Sequence, residues 1–498
     1  MHVRTKNLES VALRRLGDEE TNNALIGKRN GSGVGRPLCI LQVGTCDIGG
    51  GAEKVAWDLF RSYRARGHSS WVAVGNKRGD DRAVVQIPKR NGSWRRVWLN
   101  LEKRLEPFDE NNRRVISLTR TALRMLAQPR HEVGSRFGLE NFDYPGTKKL
   151  LQLVPDRPDV IHCHNLHGGY FDLRVIPWLS RQVPLVLTLH DAWLLSGHCA
   201  HSFACERWKI GCGQCPDLSI YPEISRDATS YNWRRKCRIF SKSRVYVSTP
   251  SQWLMEKVEQ SMLRPGIKEA RVIPNGVDLT VFHPTDKAAV RAALGLPQDA
   301  GILLFAAHQA QHNIFKDYST LETAIARVDR TPERRLIFIC LGDEAAAKRL
   351  GAAEVRYFPY QKNPAVVAQY YQAADVYVHA SRADTFPCSV LEALACATPV
   401  VATAVGGILE QIKGLEGFDF GGVELNRYPT QDATGILVPP GDSRAMAHSL
   451  QWLLGNQPVL EQMSRNASKD ACERFNIEHQ AERYLEWYAE LKDVLAHA

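Results

Sequence analysis

Residues Ala383–Thr403 read ADTFPCSVLEALACATPVVAT. Asp384 lies in a turn-like DTFP segment, and Glu392 lies in VLEALA, which reads as the opening turns of a helix. TPVVAT has the pattern of a buried strand, and Val405-Gly406-Gly407 follows it. A loop acid, a helix acid and a glycine turn after the next strand make a corner suited to polyols and phosphates. Carboxylates accept hydrogen bonds from sugar hydroxyls. The helix N-terminus and the glycine turn offer backbone N–H groups to a diphosphate. The same acids would also fit a solvated residue and a helix cap. The apolar strand–turn–helix pattern around them favours the corner.

Outward from this stretch, apolar runs alternate with helical periodicity. Before it stand Ile302–Ala307, Leu336–Leu341, Val355–Phe358 and Val376–His379, and Pro399–Thr403 closes the series. This is the signature of a doubly wound α/β domain, expected over 269–478. An earlier series begins at Leu38–Val43, passes Gly49-Gly50-Gly51 into a helical pattern (Val55, Leu59, Tyr63), and continues at Trp71–Gly75. That is a βαβ unit. Further strand-like runs follow at Val160–His162, Leu185–Leu189 and Val245–Thr249, and Arg271–Pro274 looks like a strand entering a turn. A first α/β domain is expected over 37–268. Residues 1–36 are polar, without periodicity, and read as a tail. An amphipathic last helix, 479–498, is expected to fold back on the first domain.

The chain has 498 residues, too many for one core. It is 44% hydrophobic and 24% charged, an ordinary globular balance. No apolar run approaches the ~20 residues that span a bilayer. The first residues lack an apolar core of signal-peptide length, so the expected location is cytoplasmic. The net charge is +10. From Asn76 to Gly138 fifteen Lys or Arg face seven Asp or Glu, a net of +8 in that one segment. Such a patch suits nucleic acid, anionic headgroups or a pyrophosphate-linked substrate. Trp94, Trp98, Leu101 and Leu105 fall on one helical face within it, and a second helical pattern runs from Arg113 to Leu126. These patterns suit a helix lying on an anionic membrane, or one packed on its own domain.

The Gly49–Gly51 loop opens a helix, so its N–H groups suit an anion or equally a tight strand–helix turn. It is not G-x-G-x-x-G, and Lys54 lies outside any P-loop spacing. His190-Asp191 follows a strand, where open α/β sheets bind ligands. Lys316 follows a polar loop after the first strand of the second domain, placed to meet a diphosphate. Cys199, Cys205, Cys212 and Cys215 form C-x5-C-x6-C-x2-C over 198–216, with His198 and His201 interleaved. Four thiols so spaced suit a structural tetrahedral zinc, buried reduced thiols or disulfides. Cys39, Cys340, Cys388 and Cys396 read as small buried hydrophobes.

GGGAE after the first strand, HDAW after a later one, PNGVD at the domain connection, the Ala383–Thr403 stretch with its Gly-Gly, and TGILVPPGD at Thr434–Asp442 resemble a family 4 glycosyltransferase of the GT-B fold. That fold is two Rossmann-like domains facing a cleft. The runs HCHNLHGGYFDLR and HDAWLLSGHCAHSFACERWKIGCGQCP resemble a bacterial subgroup that builds exopolysaccharide and other surface glycans. The resemblance covers Leu38 to the C-terminal helix and leaves out the tail and the basic segment.

The resemblance implies retaining sugar transfer from a nucleotide sugar of UDP or GDP type, with no cofactor required for the chemistry. Carried over, Asp384 faces the donor sugar, Glu392 binds the ribose hydroxyls and Phe386, Pro387 and Cys388 line the sugar pocket. Lys316 is the diphosphate lysine, Gly50 and Gly51 flank the donor, Gly406 and Gly407 join its site, and His190 is the active-site histidine. The family's two-acid motif has Glu first, where this chain has Asp384. The arginine that precedes the lysine in the family is not evident, and His308 and Gln309 stand nearby. Expected partners are a nucleotide sugar, a glycan or lipid-linked acceptor and an anionic membrane surface on the cytoplasmic side, with no nucleic acid. The competing readings are an epimerase or phosphorylase on this fold and a non-catalytic glycan-binding relative.

Overall fold

The strand CILQVGTC (β1, Cys39–Cys46) is buried along nearly its whole length, which is how a strand of a parallel sheet covered on both faces reads. In the computed structural model, residues 36–89, 97–98, 100–101, 113–127, 129–307, 313–329, 335–418, 420 and 427–496 are described. Expectations for the tail, for much of the basic segment and for His308 and Gln309 lie outside them.

Around β1 stand β2 (Ser69–Asn76), β3 (Val84–Gln86), β4 (Val160–Cys163), β5 (Leu185–Thr188), β6 (Val245–Thr249) and β7 (Ile267–Val272). Their order is β3-β2-β1-β4-β5-β6-β7, all parallel. The order reverses between β1 and β4, so the loops after these two strands flank a crevice. The helix Gly51–Ala65 follows β1 and buries Val55, Ala56, Leu59, Phe60 and Tyr63 on one stripe. Because β7 belongs to this sheet, the first half runs to Val272, past the expected boundary at 268.

The second sheet comprises β8 (Gly301–Ala306), β9 (Leu336–Leu341), β10 (Lys348–Leu350), β11 (Ala353–Phe358), β12 (Val376–His379), β13 (Val400–Thr403), β14 (Gly414–Leu415), β15 (Arg427–Tyr428) and β16 (Gly435–Val438). Their order is β10-β11-β9-β8-β12-β13-β16-β14-β15. Only β10 pairs antiparallel among these described strands. The reversal lies between β8 and β12, which sets the loops carrying Lys316 and Asp384 side by side. Lys316 and Ser381 form an isolated antiparallel bridge there.

The final helix, Ile477–Ala496, returns to the first sheet. Tyr484 Oη lies 2.8 Å from Ser248 Oγ and 2.9 Å from Thr188 Oγ1, and Tyr488 Oη lies 2.6 Å from His162 Nδ1. Trp487 is buried among Ile40, Val160 and Val186. At the crossing, the amide of Val277 donates to Phe475 O at 2.7 Å and that of Ile477 to Val277 O at 3.1 Å. A Cβ on Gly276 would lie 2.5 Å from Ile477 Cα, so PNGVD requires glycine there for the two chain segments to touch.

In the basic segment, Arg113–Ala127 and Pro129–Arg136 are helical. Val97, Leu101, Leu126, Val133 and Phe137 expose large apolar side chains. Among the described residues no helix is long and apolar enough to cross a membrane.

Candidate active site

The helix Cys388–Ala395 begins after Pro387 and is apolar on every side, so it is buried from Val390 to Ala395. That burial carries Glu392 inside with it, where the residue is 8% exposed. The preceding loop turns Asp384 back toward β8. Asp384 Oδ2 accepts from Lys316 Nζ at 2.6 Å and lies 3.3 Å from His379 Nε2. Lys316 Nζ also donates to Ser381 Oγ at 3.1 Å, and Tyr377 Oη lies 3.0 Å from His379 Nδ1. Burial alone would raise the pKa of Asp384. The Lys316 ammonium and the His379 contact overcome it and hold the carboxyl well below the usual range. His379 itself is lowered to about 4, first by burial and then by Lys316.

Gly406 and Gly407 have a packing role. Gly406 has φ +55°, and a Cβ there would stand 1.9 Å from Asp384 O; one on Gly407 would stand 1.9 Å from Thr385 O. The glycine turn thus lets the Asp384 loop lie flat against it. Phe386 is buried against Phe475, with its carbonyl accepting from Asn275 Nδ2 at 3.3 Å. Pro387 O accepts from Gln411 Nε2 at 3.0 Å. Burial pushes the Cys388 thiol up to about 12.

From the first half, His190 sits at the end of β5. Its Nε2 lies 2.9 Å from Nδ1 of the buried His164, whose Nε2 lies 2.9 Å from Gln42 Oε1. Burial lowers His190 to about 4, so the imidazole is neutral at pH 7. Gly50 N-caps the first helix, and Gly49 to Gly51 are exposed.

Among the described residues, several contacts join the halves near these side chains. Thr385 Oγ1 donates to His190 O at 2.7 Å. Glu410 accepts the amides of Gln252 and Trp253, each at 2.8 Å. Phe203 stacks on Phe315 with ring centroids 6.0 Å apart. Lys54 Nζ stands 3.7 Å from Glu392 Oε1. The Thr385 bond therefore brings the Lys316–Asp384 pair next to His190 where the halves meet, and Lys54 of the first half reaches Glu392 of the second. Sequence reasoning set Lys54 aside and passed over His379, Ser381 and His164. The signal for His379 was available, as a histidine ending the run VYVH beside the acid loop.

Phe203 belongs to the cysteine-rich segment, so that segment forms part of the cleft wall. Its root is held by the buried Lys236, which donates to Glu140 at 2.8 Å, Trp193 O at 3.0 Å and Ser196 O at 3.1 Å. His198 Nε2 lies 3.4 Å from Cys215 Sγ, and Cys212 Sγ accepts the Gly197 amide at 3.3 Å. Burial pushes the thiols of Cys199 and Cys212 up to about 11 and about 12. Cys199, Cys205, Cys212 and Cys215 are free thiols here, and among the described residues no three His, Cys, Asp or Glu side chains are arranged to hold a metal ion.

The family model for glycosyl transferases group 1 matches residues 286–470, and that for glycosyltransferase family 4 matches residues 49–281. The D-inositol 3-phosphate glycosyltransferase 2 of Catenulispora acidiphila is 36% identical over 327 residues, covering 61% of this chain and 70% of that protein. The "Putative colanic acid biosynthesis glycosyl transferase WcaC" of Escherichia coli K12 is 28% identical over 264 residues, covering 49% of this chain and 60% of that one. Among solved structures, Anabaena HepE in complex with UDP-glucose superposes with a TM-score of 0.54 at 18% identity, over 91% of this chain and 99% of that one. The two-domain fold is shared with these structures.

Proposed function

The chain belongs to the family 4 glycosyltransferases, and from that premise we propose that it is a retaining hexosyltransferase acting from a UDP- or GDP-type sugar onto a glycan or lipid-linked acceptor of a bacterial surface polysaccharide. The observation that carries this reading is the Lys316–Asp384 pair at 2.6 Å, tied to the neutral His190 through the neighbouring Thr385. The donor's diphosphate is anionic and would take the Lys316 ammonium. The sugar hydroxyls would donate to Asp384, and the ribose hydroxyls to Glu392. HepE, with bound UDP-glucose, and the colanic acid relative support the donor class and the pathway class.

In the proposed step the bond from the sugar anomeric carbon to the phosphate oxygen breaks, and its electron pair leaves on that oxygen. The acceptor oxygen bonds to the same face of the sugar, and its proton passes to the departing phosphate oxygen. Lys316 stabilises the charge that develops on the leaving group. The clasped halves would exclude water and limit hydrolysis.

Binding and turnover test this. A calorimetric screen of UDP, GDP, dTDP and ADP is expected to select one nucleotide. Turnover of its α-linked sugar should give an α-linked product by proton NMR. A β-linked product would overturn retention. Nucleotide binding without turnover on any acceptor would favour a glycan-binding relative.

For the acceptor side, an anionic membrane surface is proposed. The +8 segment and the exposed Val97, Leu101, Leu126, Val133 and Phe137 support it. Co-sedimentation with phosphatidylglycerol vesicles is expected at low salt and should weaken at high salt. Failure to sediment at low salt would remove the membrane.

A further inference from the structure

Lys54 projects from the first helix, one turn beyond the glycine loop. It pairs with Asp58 at 2.8 Å, stands 3.7 Å from Glu392 and lies 5.4 Å above the ring of Phe282. It is therefore a cation of the first half placed beside the buried acid of the second. Among the described residues, the titratable groups bearing on Glu392 are Lys54 and Asp58 from the first helix, Tyr371, Tyr377 from β12, and Cys388 and Cys396 flanking its own helix. Lys54 is the cation in that set.

We infer that Lys54 is a positioning residue for nucleotide recognition, which keeps Glu392 a carboxylate with open lone pairs and so makes donor binding depend on both halves being seated together. The inference rests on reading Glu392 as the ribose acceptor. A ribose diol offers two donors, and an ionised carboxylate is acceptor-only, whereas a protonated one carries a competing O–H. A buried carboxyl without a cation takes a proton. At 3.7 Å the ammonium is beyond hydrogen-bonding reach, since Asp58 draws it aside. It thus supplies charge without a hydrogen bond of its own, while the Tyr371 hydroxyl bears on the same carboxylate, whose remaining lone pairs ribose would use. Burial still leaves Glu392 above the ordinary glutamate value, with Lys54 the leading opposing influence. Nucleotide affinity is therefore expected to fall as the pH drops and Glu392 takes up its proton.

The test is the dissociation constant of UDP and of GDP, by calorimetry, on the full chain from about pH 5 to about pH 8. For Lys54→Met the midpoint of acid weakening should move up by about one pH unit or more, with affinity about tenfold lower near pH 6. Lys54→Arg should restore much of both. Asp58→Asn, which releases Lys54 toward Glu392, should move the midpoint down. Glu392→Gln should bind weakly with no such midpoint. Circular dichroism and melting confirm that each variant is folded. If Lys54→Met and Asp58→Asn match the parent at every pH while Glu392→Gln is weak, the Lys54 role is overturned and the ribose reading stands. If Lys54→Met weakens binding equally at all pH, the contact is structural and the inference is likewise overturned. If Glu392→Gln binds as the parent does, the ribose reading itself fails.

Discussion

Thr385 Oγ1 donates to the carbonyl oxygen of His190 at 2.7 Å, so the acid loop of the second half grips the end of a strand in the first. This bond sets Asp384 against the histidine, because the donor is the next residue in sequence and the acceptor is the histidine's own carbonyl. Thr385→Val should lose about 1 kcal/mol of that registration, seen as roughly a fivefold fall in kcat/KM. Melting should change little. An unchanged kcat/KM would show that the cleft holds its geometry without this bond.

Asp384→Asn should lower turnover by about a hundredfold or more, as expected for loss of a charged group contacting the transition state. It should also cost about 1–3 kcal/mol in urea unfolding, because Lys316 would be left largely buried and without its carboxylate. Its pH signature follows from sign. The folded pKa lies below the unfolded value of about 3.9, so the stabilisation is complete above that value and is lost as pH falls through the folded pKa. Between about pH 4 and about pH 2 the parent should lose stability more steeply than the variant. Parallel curves would count against the ion pair.

His162, His164 and His190 are all held neutral by burial, His162 at about 3 and His190 at about 4, with His164 also well below its usual value. Their folded pKa values lie below the unfolded value of about 6.5. Their contribution is therefore present above about pH 6.5 and is lost as pH falls through the folded values. Each should add up to about 1.4 kcal/mol per pH unit to the slope of stability once the unfolded chain protonates. Denaturation at several pH values between about 5 and 7 measures this. A flat profile would mean that these histidines are charged in the fold.

Gly406→Ala should push the Asp384 loop, since the new methyl would lie 1.9 Å from Asp384 O at a left-handed backbone position. A stability loss of about 1–3 kcal/mol is expected, together with a fall in kcat larger than that for Thr385→Val. Near-normal activity would show that this loop need not be held flat.

Much of the fold was legible because β1, β9, β12 and β13 are buried on both faces and so read as unbroken apolar runs. The short strands β10, β14 and β15, at the two ends of the second sheet, span only three, two and two residues, too short to show a period. The boundary also escaped pattern reading. β7 is partly exposed along its length, and only its pairing with β6 assigns it to the first sheet.

Within the site, Asp384, Glu392 and Gly406–Gly407 were legible together because one short stretch carries the loop, the buried helix and the turn. The four cysteines were legible as a spacing, but spacing leaves open how thiols converge in space. What the sequence determined by itself is everything that local periodicity and motif encode: two α/β halves, the family resemblance and the acids on their loop and helix. Only the tertiary structure decided that Lys316 faces Asp384 across 68 positions, that His164 backs His190, and that Lys54, which carries no motif, stands beside Glu392. The physical reason is that strand order, not chain order, selects which loops meet at a crevice. A side chain's protonation then follows from the burial and the charges it meets there.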